Sequence, residues 1–554
     1  MSDHHPGAAG SADPKGGTPG GAFAPLRQKV FAVLWAAAIL GNTGSFIRDV
    51  ASAWLVTDLS ASPAAVAAVQ AASLLPVFLL AMPAGVLSDI LDKRRFLIAI
   101  QAGLACVSLA LMALSYTGLM SVASLIGLTF LGGIGAALMM PTWQSIVPEL
   151  VARADLKSAV ALNSLGINVA RAIGPAAGGL LLASLGAAVT YSADVASYLV
   201  VIAALLWWRR PPRQESELDE RFAGAFRAGL RYARSSRELH VVLVRAVFFF
   251  AFASAVWALL PLVARDLLKG DAAYYGLLLG AIGLGAIGGA VALPRLRARF
   301  GADALVLLAA LVTAGATIAL AFAPPRLLAL VILLAVGAAW ISALTILNAT
   351  AQAILPNWVR GRALAVYLTV FNGAMAGGSV AWGLVAQAWG LSLALILSAC
   401  GLAAAALLLH RLRLPSGEAD LTPSLHWPEP ALAEPVDTDR GPVLILIEYR
   451  IARADRPAFL AALRHLSGAR RRDGAYLWGV TEDAADPDVL VEWFMVESWA
   501  EHLRQHRRVS NADADVQRAA RAFHVGDQPP VVRHLLALDP PASIPHEANP
   551  RRRE

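Results

Sequence analysis

Charged residues interrupt long apolar stretches of this 554-residue sequence at five positions. Arg48 and Asp49 lie in the first stretch, Arg171 in the fifth, Asp194 in the sixth and Arg245 in the seventh. A charge at membrane depth costs at least about 2.5–3.5 kcal/mol, so such residues usually face a cavity or a partner. A carboxylate in a low-dielectric cavity can bind and release a proton near neutral pH. Asp49 and Asp194 are therefore candidate proton carriers. The alternative is structural ion pairs, of Asp194 with Arg171 and of Asp49 with Arg48 or Arg245.

Uncharged polar residues in the same stretches could line a cavity beside these charges. The candidates are Asn163 and Asn168, which precede Arg171, and Gln144 in the preceding stretch. Asn163 and Asn168 are five residues apart, so they do not share one helix face. We expect them to supply hydrogen bonds without charge.

The elements that must position these residues are about a dozen apolar segments between residues 27 and 410. A bilayer core about 30 Å thick needs about 20 apolar residues per helix. Residues 125–140 and 327–347 contain no charge, and 57% of the chain is hydrophobic against 15% charged. The sequence therefore predicts an all-α membrane protein that moves something across the bilayer. Twelve spans are predicted: 29–56, 63–87, 95–116, 121–141, 158–184, 187–208, 240–264, 273–293, 303–323, 326–348, 361–386 and 390–410.

Basic residues cluster in alternate loops between these spans, which accounts for the net charge of +7 without nucleic-acid binding. The positive-inside rule then places both termini in the cytoplasm. The predicted organisation is two six-helix bundles with flanking segments. These are a disordered tail (1–26), the first bundle (27–208), an amphipathic cytoplasmic loop on the inner leaflet (209–239), the second bundle (240–413), a linker (414–442), an α+β domain (443–540) and a disordered tail (541–554).

An internal repeat supports the two halves, because residues 143–162 and 351–368 place similar Gln, Ile and Pro residues after the fourth span of each half. The segment GVLSDILDKRR (85–95) resembles the loop signature of the major facilitator superfamily. The resemblance implies a twelve-helix (6+6) fold and a cytoplasmic gate at the matching residues, which are Gly85, Asp89, Lys93, Arg94 and Arg95. Ile90 replaces the base that usually follows the Asp.

The segment ARAIGPAAGG (170–179) resembles the glycine- and proline-rich helix of superfamily antiporters, with Gly174, Pro175, Gly178 and Gly179 in place. Close helix packing with no bearing on transport direction is the alternative. Residues 49–63, 74–95, 141–151 and 229–239 resemble the transmembrane secretion effectors, the branch that includes the enterobactin exporter and macrolide efflux proteins. The resemblance implies siderophore export or drug resistance at the bacterial inner membrane.

The C-terminal domain has the predicted order βαββαβ, with strands at 443–451, 475–483, 488–498 and 531–539. This order is typical of a ferredoxin-like sandwich. The domain resembles the dimeric α/β-barrel group that includes antibiotic-biosynthesis monooxygenases, which implies either a dimer through this domain or a regulatory module. His502 and His506 share a helix face at i, i+4 spacing, but without a third ligand in sequence reach we predict a surface face rather than a metal site.

These features favour a secondary active exporter of a small molecule, coupled to the proton gradient and working by alternating access. Among the motifs absent from the sequence is a phosphate-binding loop ending in Lys-Ser/Thr, so we expect an ion gradient rather than ATP as the energy source. We predict no cofactor and no enzymatic activity. Two alternatives stay open: a membrane-tethered enzyme whose C-terminal domain carries the chemistry, and a non-transporting membrane sensor.

Overall fold

A computed structural model of the chain describes residues 21–209, 222–424, 426–427, 432 and 434–538. Residues 1–20 and 541–554 of the two predicted disordered tails lie outside the described residues, as does much of the predicted amphipathic loop. The described residues form two compact units. The first contains residues 21–209, 243–347 and 367–413, and the second contains residues 222–242, 348–366 and 414–538.

Eleven of the described helices are long and apolar enough to cross a membrane. Side-chain caps begin several of them: Ser62 accepts from Ala65 N, and Ser121 forms a reciprocal capping box with Ser124. The helices, numbered with the short α6, are α1 (Lys29–Leu59), α2 (Pro63–Ile90), α3 (Lys93–Thr117), α4 (Val122–Leu150), α5 (Leu156–Trp207), α6 (Phe222–Ser235), α7 (Arg237–Leu262), α8 (Ala272–Arg299), α9 (Ala302–Ala321), α10 (Arg326–Ala353), α11 (Arg360–Trp389) and α12 (Leu391–Leu409).

The 52-residue helix α5 joins two of the predicted spans. Before Gly186 it runs in the same direction as α1, since Gly166 contacts Ile39 and, further along both helices, Gly178 contacts Ile47. These contacts are close because neither glycine has a side chain. A Cβ on Gly166 would lie 2.9 Å from Ile39 Cγ1.

The chain reverses at Gly186, which has φ +80° and ψ 175°. A positive φ of this kind favours glycine because it lacks a Cβ. After the reversal, the Tyr191 hydroxyl lies 3.2 Å from Ser52 Oγ, and Val201 packs against Gly41. Rising residue numbers in α5 now meet falling numbers in α1, so this part of α5 is antiparallel to α1.

The second unit is built on a four-stranded sheet with the order β2-β3-β1-β4 and antiparallel neighbours throughout. Its elements in chain order are β1 (Val443–Arg450), α13 (Arg456–Asp473), β2 (Leu477–Glu482), β3 (Val489–Val496), α14 (Trp499–Arg508), α15 (Asn511–Arg521) and β4 (Val531–Leu536). Burial alternates along β1, so Ile445 and Ile447 face a core that contains Phe459 and Leu463 of α13. The period of two follows from the pleat of the strand.

The last turns of helix α6, which is predicted to lie on the inner leaflet, pack within the second unit. Tyr232 and Ala233 are each 4% exposed, and the Tyr232 ring meets Trp358 edge-on at 6.0 Å. An apolar helix face can be covered by protein as well as by lipid, and the sequence pattern alone does not distinguish the two. The predicted linker also packs, since Ser424 N donates to Val509 O at 2.9 Å and Asn511 Nδ2 donates to Asp420 Oδ2 at 2.8 Å.

Candidate functional site

Arg48 is the centre of a charge cluster within the first unit. Its guanidinium lies 3.0 Å from Asp49 Oδ1 and 3.6 Å from Asp194 Oδ2, and it donates to the Tyr198 hydroxyl at 2.7 Å. The side chain of Arg48 is 11% exposed and that of Asp194 is not exposed, whereas that of Asp49 is 52% exposed. Helix α1 supplies Arg48 and Asp49, and the part of α5 after Gly186 supplies Asp194 and Tyr198.

The Asp194 carboxylate is held by helices on both sides. Ser108 of α3 donates to Asp194 Oδ2 at 2.6 Å, and Asp194 Oδ1 has no hydrogen-bond partner among the described residues. Gly44 of α1 faces the carboxylate, and a Cβ there would lie 2.8 Å from Oδ1 and 2.1 Å from Ser197 Oγ. The absence of a side chain at residue 44 therefore lets α1 approach close enough for Arg48 to reach Asp194.

The partners differ in part from the predicted ion pairs. Asp49 pairs with Arg48 as expected, but Asp194 pairs with Arg48 rather than with Arg171. Arg245 does not reach Asp49, because it forms a close ion pair with Asp303. The sequence could not show these pairings, since Arg48 and Asp194 are 146 residues apart and Tyr198 is 150 residues from Arg48.

Arg171 is half-buried and has no ion-pair partner among the described residues. Asn168 is exposed one turn before it on the same helix face and donates to the Ser164 carbonyl at 2.9 Å. Asn163 points elsewhere, because its Oδ1 accepts from Trp143 Nε1 at 3.1 Å. The predicted cavity residue Gln144 is exposed.

The glycines of residues 174–179 make close helix contacts. Gly174 faces α1, where a Cβ would lie 2.6 Å from Phe46 Cβ, and Gly178 faces Ile47 of the same helix. Gly179 faces the second half instead, where a Cβ would lie 2.6 Å from Ala272 O and 2.8 Å from Gly276 Cα. The glycine-rich segment therefore brings α5 against both α1 and α8, and the Pro175 carbonyl belongs to the α8 contact, 2.7 Å from a Cβ placed on Gly276.

Polar contacts also join the two halves near the end of α1. Arg265 donates to the Thr57 carbonyl and lies 3.1 Å from Asp58 Oδ1. Ser62 Oγ, just before α2, donates to Gln387 Oε1 of α11 at 2.9 Å. These contacts hold the halves together at the end of the bundle opposite the 85–95 loop.

The basic residues of the 85–95 loop bind helix ends. Lys93 donates to the Ser145 carbonyl at 3.0 Å and to Glu149 Oε1 at 2.9 Å. Arg94 donates to the carbonyls of Leu205 and Leu206 at 2.8 and 2.7 Å, where a cation interacts favourably with the C-terminal end of α5.

The structure describes fewer contacts for the other residues of this predicted gate. Arg95 N donates to Asp92 Oδ1 at 2.8 Å, which makes Asp92 the cap of α3. Gly85 faces open space, and the side chain of Asp89 lies outside the described part of the chain. Glu149 was not among the predicted residues, and its contact with Lys93 in the structure identifies it.

Comparison with known proteins identifies relatives along most of the chain. A family model described as transmembrane secretion effector matches residues 20–541. The multidrug efflux pump Tap of Mycolicibacterium fortuitum is 29% identical over 68% of this chain and 95% of its own length. The staphyloferrin A transporter of Staphylococcus aureus is 25% identical over 46% of this chain, and the match spans 64% of that protein.

Solved structures support the same fold. The inward-facing, unoccupied crystal structure of a bacterial homolog of the human lysosomal transporter Spinster has a TM-score of 0.56 at 17% identity, over 70% of this chain and 98% of that one. At that identity the likeness concerns the fold alone. The matched proteins are membrane transporters rather than enzymes. With its membrane-length helices and a family match over residues 20–541, this chain belongs to the transmembrane secretion effector family of the major facilitator superfamily.

Proposed function

We propose that the chain is a proton-coupled exporter of a small siderophore-like or drug-like molecule that works by alternating access. The observation that carries the proposal is the cluster of Arg48 with Asp49 and Asp194 inside the first unit. A structural ion pair needs one carboxylate for each arginine. Here two carboxylates share one guanidinium, so the ionised cluster carries a formal charge of −1 in a low-dielectric environment.

One proton makes this cluster neutral. Burial of net charge is unfavourable, so binding of a proton stabilises the cluster inside the membrane. Asp49, which is half exposed, and Asp194, which is fully buried, are the two proposed proton carriers. When either carboxylate is protonated, Arg48 keeps one anionic partner and moves toward it. This couples protonation to the packing of α1 against α5.

Arg171 and Asn168 are the proposed substrate contacts. Arg171 is a half-buried guanidinium without an ion-pair partner in the described structure, and guanidinium groups bind carboxylates and phosphates through paired N–H donors. A carboxylate-bearing siderophore is a suitable ligand, and one relative is named for staphyloferrin A. The other relative is named as a multidrug pump, which makes drug-like substrates the second class in the same proposal.

The two halves, residues 27–208 and 240–413, provide the alternating access. We propose twelve membrane crossings, because α5 reverses at Gly186 and a single 52-residue helix would be about 78 Å long. Both termini then face the cytoplasm, in agreement with the basic loops. In this orientation the contacts of Arg265 with Asp58 and of Ser62 with Gln387 close the outer end, and Gly179 packs on Gly276 at the same closure.

We propose that the 85–95 loop works as the cytoplasmic gate through helix ends rather than through acid–base pairs alone. Arg94 binds the last carbonyls of α5, and Lys93 joins α3 to α4 through Glu149. Opening and closing of the inner end would make and break contacts of this type.

We propose that the C-terminal domain is a ferredoxin-like dimerisation module. The strand order and antiparallel pairing fit that fold. One sheet face is buried by helices, whereas the other carries Leu477 and Leu535 at 48% and 46% exposure, beside half-buried Trp493. A second copy of the domain would cover this apolar face.

Reconstitution of the purified chain in proteoliposomes tests the exporter function. With a pH-sensitive dye inside, addition of staphyloferrin A or a macrolide should move protons in the direction opposite to the substrate. Arg171→Gln should weaken binding of the carboxylate siderophore more than that of the macrolide. If neither compound moves protons nor accumulates under a proton gradient, the proposal fails for these substrate classes.

A further inference from the structure

Three histidines come together in the second unit. His502 and His506 lie one turn apart on α14, and the described structure adds His534 of the edge strand β4. One nitrogen from each ring lies within 4.8 Å of the other two. His502 Nε2 and His506 Nε2 are 3.2 Å apart, and the His502 ring centroid lies 4.6 Å from that of His506 and 4.7 Å from that of His534.

Buried polar atoms beside the cluster have no partner among the described residues. His502 is 1% exposed and its Nδ1 is unpartnered, and both amide atoms of Gln505, which is 0% exposed, are also unpartnered. Buried polar groups without a partner are unfavourable, so these atoms indicate a missing ligand or partner. The Gln505 side chain lies against His502, where its Oε1 could accept from Nδ1–H once Nε2 is engaged.

We propose that His502, His506 and His534 bind one divalent first-row transition metal ion. With bonds of about 2.0–2.1 Å in a tetrahedral site, ligand nitrogens lie about 3.3 Å apart. The two α14 nitrogens already meet this spacing at 3.2 Å. His534 closes the remaining gap by a side-chain rotation on the edge of the sheet. Imidazole ligands without carboxylate or thiolate suit zinc, cobalt, nickel or copper, and a fourth position stays open for water.

The surroundings of the three histidines are those of an enclosed binding site rather than of two histidines on an exposed helix face. The Trp499 ring packs on His502 and His534 at 5.3 and 6.0 Å, and Trp427 packs on His506 at 4.9 Å. These indoles contact all three imidazoles and limit the access of water to the cluster.

The test uses the full chain in detergent, purified through a tag without histidine and stripped of metal with a chelator. Zn²⁺ and Co²⁺ are titrated separately, and metal per chain is measured after gel filtration. The site variants are His506→Gln and His534→Gln. His465→Gln on the exposed face of α13 is the matched control, and a His4→Ala/His5→Ala variant tests the N-terminal histidine pair.

The wild type and both controls should retain one Zn²⁺ per chain, and each site variant should lower the affinity at least about 10- to 100-fold. Co²⁺ should give the visible absorption of a four-coordinate complex in the wild type but not in His534→Gln. Zn²⁺ should also raise the unfolding temperature of the wild type and not of His534→Gln, which separates binding from misfolding. The proposal is overturned by substoichiometric binding, by equal affinity in the site variants, by loss of binding only in the His4→Ala/His5→Ala variant, or by a haem complex that depends on these histidines while Zn²⁺ does not bind.

Discussion

Replacement of Asp194 by asparagine should uncouple transport from the proton gradient without unfolding the protein. Arg48 has closer partners in Asp49 and Tyr198, and Asp194 lies 3.6 Å from its guanidinium. The asparagine carbonyl can still accept the hydrogen bond from Ser108. We therefore expect the free energy of unfolding to change by about 1 kcal/mol or less.

The effect on coupling follows from the charge count. In Asp194→Asn, one arginine faces one carboxylate, so the cluster is neutral without a proton. One proton driven by 100 mV supplies about 2.3 kcal/mol, which corresponds to about 50-fold accumulation of substrate at tenfold per 1.4 kcal/mol. The variant should lose this accumulation and retain movement of substrate down its own gradient. Asp49→Asn should behave in the same way, since it leaves the same charge balance.

The assay compares accumulation and internal pH in proteoliposomes under a proton-motive force of 100 mV, with the wild type and Ser108→Ala as references. Ser108→Ala removes one hydrogen bond to Asp194 but keeps every charge, so its coupling should persist. Accumulation near 50-fold in Asp194→Asn, together with proton movement, would refute the reasoning. Loss of both coupled and downhill transport in a folded variant would equally contradict it, because that result indicates a structural role.

Three further changes test other parts of the structure. Gly179→Ala should impair export, because the new Cβ would lie 2.6 Å from a backbone oxygen where the two halves meet. Gly315 faces open space, so Gly315→Ala should leave export unchanged in the same vesicle assay. Burial raises the pKa of Asp473 to about 8, so its carboxyl is protonated in the folded protein and ionised when unfolded between about pH 4 and 8. The free energy of unfolding of the second unit should therefore fall as pH rises through this range. Compared with the wild type, Asp473→Asn should slow amide exchange in residues 456–496 at pH 8 but not at pH 4. If the carboxyl is ionised in the folded protein, this difference between the two pH values should be absent. Arg470→Met should destabilise the second unit by about 3–5 kcal/mol, since it leaves Glu492 buried without its ion pair, and Arg470→Met/Glu492→Leu should recover most of this loss in thermal unfolding.

The sequence predicted the helices well, because a membrane-length apolar run has few alternatives to a helix in lipid. It also predicted the strands of the tail, where burial alternates with period two along β1. The Arg48–Asp49 pair could be predicted because the two residues are adjacent. The resemblance of residues 85–95 to known proteins indicated that this segment connects two helices.

Partners distant in sequence could not be predicted. The ion pairs of Arg245 with Asp303 and of Lys93 with Glu149 form only where particular faces of two helices meet. Which faces meet is decided by the three-dimensional packing of the helices. His534 was missed for the same reason, since 28 residues separate it from His506 and only the position of β4 brings them together. The contact of α6 with Trp358 was not predicted either, because an amphipathic pattern gives the direction of an apolar face but not which residues cover it.

Helix α14 has a second set of contacts, and these affect the order in which the protein can mature. Glu501 pairs with both Arg231 of α6 and Arg508 at 2.7 Å, and the Arg508 guanidinium lies 4.2 Å from the ring of Trp358. Arg231 and Trp358 belong to segments that leave the ribosome well before α14 is translated. Until synthesis is complete, the half-buried Arg231 guanidinium and the Trp358 indole lack their final neighbours. A chain that stops after residue 413 should consequently be a substrate for membrane quality control rather than a smaller working transporter.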